Sequence, residues 1–200
     1  MSSQPPAARR ARPADAGRIT TIIALAFAAD PVWGPAMARP DGSIRHHAAL
    51  WRPFVDGALR FPATWLTAGG EAAAIWIPPG AASMTPGQEE HLAGLAAEHL
   101  GPAADSYLEL LEQIHRAHPH GEPHYFLTLL GTHPDHRGHG LGMRLLAASL
   151  EPIDASHRPA YLESSNPAND RRYGALGFEP LGEISCPGGQ VITTMWRPAR

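Results

Sequence analysis

The sequence contains no lysine, a single cysteine and no long apolar run. All 16 basic residues are arginine, which excludes mechanisms that need a lysine Schiff base, a lysine nucleophile or a P-loop lysine. The lone cysteine, Cys186, permits neither an internal disulfide nor a cysteine-based zinc site and suits a reducing compartment. No signal-peptide segment and no apolar stretch of about eighteen residues is visible. We therefore expect a cytoplasmic protein without a membrane partner.

The composition is that of a globular chain. Of the 200 residues, 44% are hydrophobic and 18% are charged, which is ordinary for one folded domain. The net charge is −3, so the chain has no excess of positive charge with which to hold nucleic acid. We expect residues 1–8 to form a disordered lead, residues 9–200 to form a single domain, and nucleic acid not to be a partner.

The spacing of apolar residues and turns predicts alternating helices and strands. The most apolar strand covers residues 124–132 and is typical of a central strand buried on both faces. The predicted helices cover 13–29, 43–61, 85–100, 104–118, 143–150 and 166–176, and the predicted strands cover 9–12, 64–67, 71–77, 124–132, 160–163, 178–184 and 190–196.

A glycine-rich turn follows the buried strand. Arg137, Gly140 and Gly142 form the pattern R-x-x-G-x-G just before helical spacing resumes at Met143. Glycines at the start of a helix leave backbone N–H groups open to a pyrophosphate, and the arginine can add charge-assisted hydrogen bonds. A dinucleotide-binding fingerprint needs its glycines in a different order, and a P-loop needs lysine. Glycines that only turn the chain are the remaining alternative.

This turn and three other segments resemble the Gcn5-related N-acetyltransferases. The string HPDHRGHGLG at residues 133–142 resembles the family's acetyl-CoA loop, and residues 26–31 resemble the end of its first helix. Residues 162–167 and the pattern N-x-x-x-Y-x-x-x-G-F at 169–178 are similar to the family's second conserved block. Over residues 9–200 the arrangement most resembles the subgroup that includes puromycin N-acetyltransferase.

The resemblance implies a fold and a cosubstrate. The fold would be α/β, with a mixed, mostly antiparallel sheet of six to seven strands flanked by helices. Its central parallel pair, here residues 125–132 and 160–163, would splay apart around acetyl-CoA, and residues 9–200 would be one N-acetyltransferase domain. The residues implied to bind acetyl-CoA are Leu130, Gly131, Thr132, Arg137, Gly138, His139, Gly140, Leu141, Gly142, Met143, Asn169 and Tyr173.

The resemblance also implies catalytic residues. Tyr173 matches the tyrosine that protonates the departing CoA thiolate, and a phenol with a pKa of about 10 can act as such an acid. Glu163, at the end of a predicted strand, is the first candidate for the base that deprotonates the amine, because apolar neighbours raise the pKa of a carboxyl. His133 is the second candidate and Asp30 the third. A core role for Tyr173 and a salt-bridged surface role for Glu163 are the structural alternatives.

The implied reaction is transfer of an acetyl group to a primary amine of a small molecule, by direct attack in a ternary complex. Antibiotic resistance or self-protection is the implied role, and a small-molecule amine is the implied partner. Asp30, Trp33, Trp76 and Glu163 are the expected substrate-binding residues. A protein or peptide N-acetyltransferase and a non-catalytic acyl-CoA sensor are the alternatives, and both a monomer and a homodimer stay open.

The 12 histidines do not indicate a metal site. The repeat at His133, His136 and His139 is interrupted by Pro134 and Gly138, which prevent the helix that would align these rings. We therefore expect no metal. A second group of histidines is expected in a solvated loop, and its members are His115, His118, His120 and His124.

Overall fold

The computed structural model describes residues 8–200. Seven strands form one sheet in the order β1-β2-β3-β4-β5-β7-β6, and in the described residues β4 and β5 are the one parallel pair. The strands are β1 (Ala8–Arg10), β2 (Thr64–Thr67), β3 (Ala72–Ile77), β4 (Tyr125–Thr132), β5 (Ala160–Ser164), β6 (Glu179–Ser185) and β7 (Val191–Arg197). The helices are α1 (Ala16–Phe27), α2 (Trp33–Ala36), α3 (His47–Ala58), α4 (Pro86–Leu100), α5 (Ala104–Ala117), α6 (Leu141–Ala155) and α7 (Asp170–Gly174).

This arrangement confirms the predicted α/β fold with a mixed, mostly antiparallel sheet. The disordered lead expected at residues 1–8 lies outside the described residues, except for Ala8, which begins β1 and pairs with Thr67. Pro53 lies inside α3 without ending it. Among the helices of residues 8–200, none is long and apolar enough to cross a membrane.

The centre of the sheet is buried on both faces. Every residue of β3 is buried, and because side chains alternate along a strand, Ala73, Ile75 and Ile77 face one core while Ala72, Ala74 and Trp76 face the other. The first core is completed by α1, α3 and α5, and the second by α6. A fully buried aliphatic side chain such as Ile23 of α1 contributes about 1.5–3 kcal/mol by leaving water.

An extra residue in β4 bends the strand where the functional site begins. Ile75 pairs with Leu129 and Trp76 pairs with Leu127, so Thr128 is a bulge without a partner in β3. A bulge of this kind bends its strand and increases the local twist. β4 pairs with β5 only up to Leu127, although β4 itself continues to Thr132. The expected splayed parallel pair is therefore confirmed.

Candidate active site

A cleft of about 570 Å³ opens where β4 and β5 diverge. Past Leu127 the edge of β4 that faces the cleft is not paired with β5, and such an edge can pair with the amide groups of an extended ligand. Of the residues expected to bind acetyl-CoA, all but one line this cleft: Leu130, Gly131, Thr132, Arg137, Gly138, Gly140, Leu141, Gly142, Met143, Asn169 and Tyr173. The exception is His139, whose exposed side chain lies outside the cleft that the described residues form.

The turn before α6 brings backbone N–H groups to the cleft. Gly140 precedes the 15-residue helix α6 and has a φ of 68°, a left-handed conformation that favours glycine. A Cβ atom at Gly142 would come within 2.7 Å of Thr132 Oγ1, so a side chain there would press against β4. The arrangement fits a pyrophosphate at the positive end of the helix. Part of the hydrogen-bonding capacity of Arg137 is used within the fold, because it donates to the backbone carbonyl of Ala26 at 2.7 Å.

Tyr173 and Asn169 line the cleft from α7 and the turn before it. Burial, and then the charges of Asp30 and Asp170, raise the pKa of Tyr173 to about 12. The hydroxyl therefore keeps its proton at neutral pH, as a proton donor must. The side-chain oxygen of Asn169 accepts a hydrogen bond from Arg172 at 3.0 Å, and its NH2 group can still donate.

A second cavity, of about 1070 Å³, lies between β4, α4 and α5. We call it the acceptor cavity. Its apolar wall includes Trp33, Trp51, Phe54, Leu92, Leu111 and Phe126. Five glutamates also line it, namely Glu89, Glu109, Glu112, Glu122 and Glu163, and Glu112 is paired with Arg116. No arginine of the described chain lines this cavity, so its electrostatic character favours a cation.

The cleft and the acceptor cavity meet at Glu163, which lines both together with Trp33, Ile114 and Thr128. The Glu163 side chain is 11% exposed, and its Oε1 atom has no hydrogen-bond partner among the described residues. Burial raises the pKa of this carboxyl. A carboxylate with a raised pKa is suited to take a proton from an ammonium group bound in the acceptor cavity. The neutral amine that results can then attack a group bound in the cleft.

Two of the expected catalytic and substrate-binding residues line neither cavity. His133 accepts a hydrogen bond from the backbone N–H of Asp135 at 3.4 Å, and its side chain lines neither of the cavities described here. Trp76 is 1% exposed and its indole N–H donates to Ser149 Oγ at 2.9 Å. The alternation of β3 places Trp76 under α6, on the face of the sheet away from the acceptor cavity.

Asp30 has a positioning role in the structure. Its carboxylate accepts hydrogen bonds from the backbone N–H groups of Val32 and Trp33 at 2.9 and 3.0 Å. It also accepts a hydrogen bond from Ser165 Oγ at 2.7 Å. These bonds fix the turn into α2, an element the sequence did not predict, and bring Trp33 to the junction of the two cavities.

The four histidines expected in a solvated loop all line the acceptor cavity, namely His115, His118, His120 and His124. Two of them are sheltered, because His118 is half-buried and His124 is only 8% exposed. His118 Nδ1 lies 3.7 Å from Glu163 Oε1, and His118 Nε2 lies 3.2 Å from His124 Nε2. Nothing in the local sequence pattern distinguishes these two rings from exposed His115 and His120, because the contact forms only when the end of α5 packs against β5.

A model of the acetyltransferase (GNAT) family matches residues 49–178. The matched segment contains both strands of the splayed pair, the turn before α6, Glu163 and Tyr173.

Solved structures resemble the chain over nearly its full length. One is described as histone acetyltransferase HPA2 and related acetyltransferase from Corynebacterium glutamicum ATCC 13032; it is 25% identical, with a TM-score of 0.68 over 98% of this chain and 98% of that chain. The polyamine N-acetyltransferase of Drosophila melanogaster, which forms N-acetylagmatine, is 18% identical with a TM-score of 0.66 over 96% and 99%. The NatC complex bound to Gag peptide and CoA is 12% identical with a TM-score of 0.53 over 97% and 98%. The last two likenesses show a shared fold.

Proposed function

The chain belongs to the acetyltransferase (GNAT) family, and from this premise we propose that it transfers the acetyl group of acetyl-CoA to a primary amine of a small molecule. The observation that carries the proposal is the position of Glu163, a buried carboxyl where the cleft and the acceptor cavity meet. The donor thioester would lie on one side of this carboxyl and the amine on the other.

The cleft supplies the groups that hold the donor. Acetyl-CoA brings an activated thioester, and the unpaired edge of β4 offers hydrogen bonds to the amide-bearing arm that carries it. The turn before α6 holds the pyrophosphate with its N–H groups. The side-chain amide of Asn169 adds a hydrogen bond from the turn before α7. Backbone N–H groups near Leu130 polarise the thioester carbonyl, where they stabilise the charge that develops on its oxygen.

The reaction needs three proton transfers. Glu163 takes a proton from the ammonium group, and the neutral amine attacks the thioester carbon directly while both substrates are bound. The carbon–sulfur bond then breaks, and Tyr173 donates its proton to the departing sulfur. The nitrogen gives its second proton to the Tyr173 oxygen, so that the amide forms and the phenol is restored. Burial raises the pKa of both side chains, so the carboxyl accepts a proton more readily and the phenol still carries its proton at neutral pH.

The acceptor cavity supports a small-molecule substrate. Its volume of about 1070 Å³ is comparable with that of pockets for drug-sized ligands. Aromatic walls together with glutamates suit an amine that has a bulky apolar body. We place an aminonucleoside first among the acceptors, because the sequence resembles the puromycin-acetylating subgroup, and on the same ground we propose antibiotic resistance or self-protection as the role. Residues 9–200 would act as one domain in this reaction.

Calorimetry with acetyl-CoA followed by an acetylation screen tests the proposal. We expect saturable binding at micromolar concentration, and then CoA release with at least one of puromycin, kanamycin, agmatine and tryptamine. Initial-rate patterns should intersect, as for a ternary complex; parallel patterns would indicate an acetyl-enzyme and contradict direct attack. Acetylation of peptides alone would favour a protein acetyltransferase. Binding of acetyl-CoA without transfer to any amine or peptide would favour the acyl-CoA sensor, and absence of binding would overturn the assignment of the cleft.

A further inference from the structure

We propose that His118 passes the amine's proton from Glu163 to solvent, and that His124 is the positioning residue that holds His118 in the tautomer this step needs. The inference rests on the acetyl-transfer function proposed above. It adds two residues that the family resemblance did not indicate. Both lie near the carboxyl that separates the two cavities.

The hydrogen bonds between these rings fix where their protons lie. His124 Nδ1 is 2.7 Å from the backbone carbonyl of Glu122, and a carbonyl oxygen only accepts, so this nitrogen carries the proton. His124 Nε2 is then the unprotonated nitrogen of a neutral ring. It lies 3.2 Å from His118 Nε2, which must donate to it. His118 Nδ1 is therefore left with a free lone pair, and it lies 3.7 Å from Glu163 Oε1.

His124 is held neutral by its surroundings. Its ring packs edge-on against Tyr161 and Trp196, with centroid distances of 5.6 and 5.0 Å. Burial lowers the pKa of His124, so the ring stays an acceptor at neutral pH. A neutral, fixed acceptor next to His118 Nε2 stabilises the imidazolium that forms when His118 takes a proton, as the third group does in other catalytic triads.

The proton balance of the step is complete. The ammonium group loses a proton to Glu163, whose carboxylate becomes a carboxylic acid. The carboxylic acid passes the proton to His118 Nδ1 and returns to its ionised form. The imidazolium of His118 releases the proton from Nδ1 to water in the acceptor cavity, while its Nε2–H stays bonded to His124. No oxidant, metal or further reactant is needed.

Glu163 needs such a route because it has little contact with solvent. Its side chain is 11% exposed whereas that of His118 is 25% exposed. The other titratable groups near the two rings are Tyr161 on β5 and, in the loop before β4, His120 and Glu122. Burial, and then the charge of Glu163, raise the pKa of Tyr161, so this phenol does not compete for the proton. In the described part of the chain, no group of three His, Cys, Asp or Glu side chains is placed to hold a metal ion.

The first experiment measures the relay in turnover. The His118→Ala variant should lose about tenfold to a hundredfold in kcat with puromycin or tryptamine, and added imidazole should restore part of it. His118→Gln keeps a polar side chain at this position but cannot take up a proton, so it should lose as much kcat as His118→Ala. His91→Ala is the matched control, since His91 is exposed on α4 and lines neither of the two cavities described. A His118→Ala enzyme with unchanged kcat, or with a loss that imidazole does not restore, would overturn the relay.

The second experiment does not depend on an acceptor. Nitrogen-15 NMR of histidine-labelled protein at mildly alkaline pH should show His124 protonated at Nδ1 and His118 protonated at Nε2. The opposite tautomer at either ring would overturn the inference even in an active enzyme. If no amine is acetylated, the proposed function fails while these spectra still decide the hydrogen-bond arrangement.

Discussion

Replacement of Tyr173 by phenylalanine removes the proposed proton donor and keeps the ring. Burial raises the pKa of this phenol to about 12, whereas an ordinary thiol has a pKa of about 8.5, so complete transfer to a free thiolate would be uphill by about 5 kcal/mol. Because the same burial also disfavours a thiolate, the hydroxyl helps chiefly by donating a hydrogen bond as charge develops on sulfur. We therefore expect kcat to fall by about a hundredfold, or about 2.7 kcal/mol, at the lower end of the range for acid–base groups.

The assay is release of the CoA thiol at saturating acetyl-CoA and amine, with acetyl-CoA affinity measured separately by calorimetry. The raised pKa of Tyr173 keeps its hydroxyl protonated, so the parent enzyme should show no alkaline limb in kcat below about pH 10. Tyr125→Phe is the matched control, because Tyr125 packs against the core and lines neither of the cavities described. An unchanged kcat in Tyr173→Phe would refute the role of the hydroxyl, and a loss of acetyl-CoA affinity alone would show that Tyr173 only binds.

Three further substitutions test other parts of the structure. Glu163→Gln should lower kcat/KM at least about a hundredfold. Burial raises the folded-state pKa of Glu163, so its negative charge destabilises the folded protein more as pH rises. Calorimetric melting of this variant should therefore show a raised Tm at neutral pH but not in acid. Gly142→Ala should weaken acetyl-CoA binding about tenfold in calorimetry without unfolding the protein, since its Cβ would meet Thr132 Oγ1 at 2.7 Å. Asp154→Asn should cost about 2 kcal/mol in urea unfolding, because Arg197, which is 3% exposed, loses its charged partner; an unchanged midpoint would contradict this account.

Much of the fold could be predicted from the sequence because its strongest patterns are local. The apolar run of β4 and the prolines and glycines that bound α4 each predict an element within a few residues of its observed limits. The short helix α2 was missed because the hydrogen bonds of Asp30, rather than any periodic pattern, determine it. The helix predicted over residues 43–61 is shorter in the structure, where α3 begins at His47 and ends at Ala58.

The residues of the candidate site could likewise be predicted where they belong to local motifs, and could not where tertiary packing places them. The glycine turn and Tyr173 belong to continuous motifs, and the structure places both in the cleft. Trp76 was expected to bind substrate because sequence does not tell which face of a doubly buried strand meets a cavity. His118 was missed because its contact with Glu163 joins α5 to β5, and no spacing along the chain encodes that contact.

The two cavities have few lining residues in common, so most of the acceptor cavity can change in evolution without a change in the cleft. Trp33, Ile114, Thr128 and Glu163 line both cavities, whereas the rest of the acceptor wall comes largely from α4, α5 and the segments 78–84 and 118–124. On the proposed assignment, substitutions in those segments reshape the amine's binding site and leave the acetyl-CoA cleft unchanged. Loop residues on the surface tolerate such exchange better than the strands they connect. Related proteins can therefore come to acetylate a different amine through substitutions in the acceptor cavity, while the residues of the acetyl-CoA cleft are kept.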